Sequence, residues 1–60
     1  MLIDVTEFFV VQIRARVAAE QTPEPWSDER SFDEDGPAFD RADYMREDGD
    51  TEARVVRRWR

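Results

Sequence analysis

The chain has 60 residues, 15 carboxylates and a net charge of −6, and its nine basic residues are all arginine. Cys, His and Lys are absent, which excludes disulfides, thiol and imidazole catalysis, lysine Schiff bases and Cys- or His-based metal centres. This length allows one domain, residues 1–60, with a thin core, because so small a fold buries only about 60% of its unfolded surface.

Met1-Leu2-Ile3-Asp4-Val5 is apolar but has an acid where a signal peptide carries basic residues. No segment reaches the roughly 20 apolar residues of a membrane span. A cytoplasmic protein is therefore expected. Residues 7–19 follow, rich in Phe, Val and Ile. Phe9, Val11, Ile13, Ala15 and Val17 share one parity, and Phe8, Val10, Gln12, Arg14 and Arg16 share the other. A period of 2 with one apolar face predicts a half-buried strand.

Gln21-Thr22-Pro23-Glu24-Pro25 breaks regular structure, since two of its five residues are proline. Residues 26–32 place Trp26, Asp28, Arg30 and Phe32 on one parity. They predict a short second strand or an ordered loop, anchored by its two aromatics. Asp33-Glu34-Asp35-Gly36-Pro37 then has the chemistry of a helix start. Its acids suit the macrodipole, Asp33 or Asp35 can cap, and Pro37 fits the first position.

A helix is expected over 37–48. Ala38, Phe39, Ala42 and Met45 would form its packing stripe, while Asp40, Arg41, Asp43, Arg46 and Glu47 would face water. Gly49 supplies the C-terminal stop. Residues 52–59 alternate again, and Val55-Val56 supports a last strand. The fold class is α+β: a three-stranded, mostly antiparallel sheet in ββαβ order, with one helix packed on one face. The helix stripe would meet Phe9, Val11, Ile13, Val17, Val55, Trp26 and Phe32.

Charge is unevenly spread. Residues 20–52 hold thirteen acids against Arg30, Arg41 and Arg46, whereas residues 53–60 hold four arginines and no acid. Asp40, Asp43 and Glu47 recur at helical spacing, and like charges there cost helix stability. Together with Asp33, Glu34 and Asp35 they form a candidate partner-binding surface, a row of carboxylates in place of a phosphate backbone. The alternative is a solvated face that keeps a marginal domain soluble. Arg14, Arg16, Arg54, Arg58 and Arg60 would form a basic patch near Trp59, suited to nucleic acid or to pairing with the surplus carboxylates. A net charge of −6 makes nucleic acid the less favoured partner.

Phe8, Val10 and Val56 would lie on the uncovered sheet face. They form a candidate self-association patch, which would make the chain a homodimer. Asp33-Glu34-Asp35-Gly36 fails as a calcium loop, because Ser31 and Ala42 stand where ligands are needed. No cofactor and no catalytic residue is expected.

Phe9-Val10-Val11-Gln12-Ile13-Arg14, Arg30-Ser31-Phe32-Asp33, an Ala/Tyr helix and Ala53-Arg54-Val55-Val56-Arg57-Arg58 together resemble the small ββαβ proteins encoded by bacteriophages and other mobile elements. Those proteins include anti-CRISPR proteins and other inhibitors of host defence, some acting as DNA mimics. The resemblance implies a non-enzymatic inhibitor of a host nucleic-acid-binding protein, working in the host cytoplasm. It carries over no individual functional residue. The rival expectations are a homodimeric assembly module and nucleic-acid binding through the C-terminal arginines.

Overall fold

The computed structural model describes residues 6–60, so Met1-Leu2-Ile3-Asp4-Val5 and the expectation drawn from it lie outside the described residues. Strands β1 (Glu7–Ala15), β2 (Ser27–Phe32) and β3 (Thr51–Trp59) and one helix, α1 (Asp35–Arg46), follow in the order β-β-α-β. The sheet order is β2-β1-β3, with both pairings antiparallel. The α+β class and the one-helix, three-strand layout are those expected from the sequence.

β1 takes the centre because it alone is apolar on both faces. Phe9, Val10, Val11 and Gln12 are all buried, and Val11 is fully so. β1 ends at Ala15, four residues sooner than its alternation suggests. β3 runs out there, the Arg16 N–H closes the ladder on the Asp50 carbonyl, and the chain then turns between Ala18 and Gln21. Val17 is thus outside the sheet.

α1 starts at Asp35, so Pro37 is its third residue, where a missing N–H still costs nothing. Glu34 occupies the N-cap position without a side-chain cap, which replaces the expected capping by Asp33 or Asp35. Asp35 in the first turn and Arg46 in the last both suit the macrodipole. Gly49 has φ +77° and donates its N–H to the Arg46 carbonyl at 3.1 Å, ending the helical segment.

Ala38 and Ala42 have no exposed surface and let α1 approach closely over Phe9, Val11 and Ala53. Ile13, Phe32, Met45 and Val55 close the margins of this core. Phe39 does not belong to it. At 54% exposure it stands outside the contact line, because the helix seats on Ala38, Ala42 and Met45. Arg41 and Arg46, expected in water, turn back instead. Arg41 pairs with Glu29 of β2, and Arg46 donates to the Ala53 carbonyl of β3 at 2.8 and 3.1 Å.

One irregularity organises the second strand. Val11 is opposite Arg30, but Gln12 is opposite Asp28, so Glu29 is an extra residue in β2. Such a bulge reverses the facing of everything on its far side. Arg30 and Phe32 keep to the helix side, whereas Asp28 joins Gln12 on the uncovered face. Trp26 follows Asp28 there, and is not in the core where its sequence parity with Phe32 had placed it.

Candidate functional site

The two faces of the molecule carry opposite charge. On the helix layer, Asp33 and Glu34 form the bend before α1, Asp35 opens it, and Asp40, Asp43 and Glu47 recur along its outer side. All six are exposed. Only Asp43 has an ion-pair partner among the described residues, Arg46 at 2.8 Å. The candidate acidic surface is therefore one contiguous region, consisting of the helix and the bend that leads into it.

Two aromatic rings stand within it. Tyr44 is 60% exposed and Phe39 54%. Both sit one helical turn from an acid, Tyr44 after Asp40 and Phe39 before Asp43. Tyr44, Met45, Glu47 and Asp48 line a shallow depression of ≈ 260 Å³. The Arg41 guanidinium carbon already lies 5.1 Å from the centre of the Tyr44 ring, and the two carboxylates beside the ring suit a further cationic side chain. The helical periodicity puts Phe39 in the packing stripe and gives Tyr44 no distinguishing mark.

The uncovered sheet face is built differently. Phe8, Val10, Gln12 and Arg14 of β1 lie between Asp28 and Ser31 of β2 and Glu52, Arg54, Val56 and Arg58 of β3. Gln12, 7% exposed, sits at the middle of a chain of hydrogen bonds. Its amide Nε2 donates to Asp28 Oδ1 at 2.8 Å, and its Oε1 accepts from Arg54 Nε at 2.8 Å. Arg58 Nη1 donates to Asp28 Oδ2 at 2.9 Å. The Gln12 hydrogen bond and then the Arg58 guanidinium hold the Asp28 carboxyl below its ordinary range. At the other end Arg14 Nε donates to Glu52 Oε1 at 2.9 Å.

The arginines of this face lie against aromatic rings. The Arg14 and Arg54 guanidinium carbons are 4.2 and 4.4 Å from the centre of the Trp26 ring, and that of Arg60 is 4.4 Å from the Phe8 ring. The adjacency of β1 and β3 thus gathers Arg14, Arg54, Arg58 and Arg60, as the basic-patch reading expects. Arg16 lies past the end of β1, and Trp59 shares the parity of Ala53 and Val55 on the opposite face.

The candidate self-association residues are less exposed than an uncovered face suggests. Val10 is 3% exposed, and Phe8 and Val56 are only partly accessible.

Among the described residues no group of three or more carboxylates is arranged to hold a metal ion, and no helix is long and apolar enough to cross a membrane. No protein-family profile, curated protein or solved structure matches the chain.

Proposed function

We propose that the chain is a non-enzymatic binding module whose acidic helix layer takes up a basic surface of a partner protein. The observation that carries this reading is the exposure of Tyr44 and Phe39 among carboxylates of which, among the described residues, only Asp43 has an ion-pair partner. A merely solvating face has no use for two exposed rings. Aromatic anchors surrounded by charge are the usual composition of a protein interface. The depression between Tyr44, Glu47 and Asp48 is suited to an Arg or Lys side chain.

On this reading the partner is a nucleic-acid-binding protein. Asp33, Glu34, Asp35, Asp40, Asp43 and Glu47 take the place of phosphates in its cationic groove. The chain is then an inhibitor of the kind carried by bacteriophages and mobile elements, acting in the host cytoplasm. The self-assembly reading is the weaker one, because Val10 adds nothing to an exposed patch.

The test is recovery of partners by the tagged protein from bacterial lysate at low and moderate salt. A basic nucleic-acid-processing protein should be retained at low salt and lost as screening increases. The Tyr44→Ala variant and the Asp40→Asn/Asp43→Asn/Glu47→Gln variant should each fail to retain it. Equal retention by all three proteins would remove the helix layer from the function.

A further inference from the structure

The uncovered sheet face has its own chemistry. Among the described residues, Arg14, Arg54, Arg58 and Arg60 share their face of the sheet with two carboxylates, Asp28 and Glu52. Arg54 and Arg60 make no ion pair among the described residues, and Arg54 is held by the neutral Gln12 amide. Two guanidiniums share the Trp26 ring with one carboxylate, Glu52, to balance them. This local surplus of positive charge calls for an anion.

The planes of the face narrow the choice of anion. Guanidiniums stacked on rings present flat surfaces whose edges still donate hydrogen bonds. One stack, at Trp26, is beside Arg14, and the other is at Phe8. Arg14 lies six positions along β1 from Phe8, about 20 Å of extended strand. Beside the Phe8 stack, Phe8, Val10, Ser31 and Arg58 border a shallow depression of ≈ 280 Å³, with Asp28, Glu29 and Arg30 at its β2 edge. An acidic peptide would use the charges and leave the planes idle. A duplex would hide its base faces. A single strand satisfies both, with phosphates on guanidinium edges and bases on guanidinium and ring faces.

We propose that the uncovered sheet face binds single-stranded nucleic acid, with Arg14, Arg54 and Arg60 holding phosphates and the Trp26 and Phe8 stacks receiving bases. The overall charge of −6 opposes long-range attraction. At physiological salt, however, the screening length is about 8 Å, and most of the unpaired acid is on the other side of the sheet. Binding is then governed by the local surplus. This site goes beyond the helix-layer reading and does not depend on it.

The test is anisotropy of an end-labelled oligothymidine about 12 nucleotides long, a length within the span of small single-strand-binding folds. With about three phosphates engaged, affinity should fall about 20-fold between roughly 50 and 200 mM salt. The Arg54→Gln/Arg60→Gln variant removes two cations without orphaning a carboxylate. It should bind at least about 10-fold more weakly while its circular dichroism spectrum at the assay temperature matches that of the parent. The Asp40→Asn/Asp43→Asn/Glu47→Gln variant should bind at least as well as the parent. No binding at the lower salt, unchanged affinity in the arginine variant, or displacement by polyglutamate as effective as by unlabelled oligothymidine would each overturn the proposal. Loss of protein partners in the lysate experiment would leave it standing.

Discussion

Glu29 and Arg41 join the edge strand β2 to the helix: Arg41 Nε lies 3.2 and 3.1 Å from the two Glu29 carboxylate oxygens, and its Nη2 also donates to Oε1. Glu29 is the bulge residue, so the irregularity that breaks the alternation of β2 also aims this carboxylate at α1. The hydrogen bonds from Arg41, and then its charge, hold the Glu29 carboxyl below the usual glutamate range. The same contact raises the Arg41 guanidinium.

The pH dependence follows from that direction. A carboxyl whose folded-state pKa is depressed adds stability above its unfolded pKa, about 4.3 for glutamate. The contribution is lost as pH falls through the lower folded value. Glu29→Gln should therefore be less stable than the parent at neutral pH, and the gap should close on acidification. Urea midpoints of both proteins at neutral and strongly acidic pH provide the check. A constant gap would show that shape, rather than charge, makes the contribution.

A second prediction concerns the helix–sheet spacing. Ala38, Ala42 and Ala53 meet Phe9 and Val11 in a core where Val11 is the single large, fully buried side chain among the described residues. The close approach of α1 depends on the missing bulk at Ala42. Ala42→Leu should force the helix outward and cost about 1–3 kcal/mol. Val11→Ala should cost about 2–3 kcal/mol through the cavity it leaves. Both are read from chemical denaturation. Phe39→Ser, on the exposed side of the same helix, should stay within about 0.5 kcal/mol.

These contrasts show what was legible in the sequence. The alternation Phe9, Val11, Ile13 identified β1 and the face it turns to the helix, because those three residues share one parity. Ala38, Ala42 and Met45 located the helix by their helical spacing. Trp26 was misplaced because the bulge leaves no mark in Asp28-Glu29-Arg30, which has no glycine and no gap in its pattern. One unseen residue moved Trp26 from the expected core to the arginine-lined face, and with it the most distinctive part of that face. Arg41 and Arg46 escaped notice because a long side chain can start on the solvent side and end on a neighbouring element. The acidic surface was visible as composition. The rings inside it, Phe39 and Tyr44, emerged only once the contact line of the helix was known.

The chain reversal after α1 permits a sharper test of backbone chemistry. Gly49 has φ +77°, and a β-carbon placed on it would meet nothing within 4 Å. Any cost of a side chain there is therefore conformational. Gly49→Ala should lose about 1 kcal/mol, the usual penalty for a non-glycine residue in left-handed backbone. Gly49→Asn should lose less, since asparagine tolerates that region. The neighbouring Asp48 carboxylate accepts from the Asp50 and Thr51 N–H groups at 2.8 and 3.1 Å, which holds the turn while position 49 is varied. The ranking Gly, then Asn, then Ala in denaturation midpoints is the expected result. Equal midpoints would mean that the turn readjusts to a negative φ, and that the start of β3 at Thr51 is set by Asp48 alone.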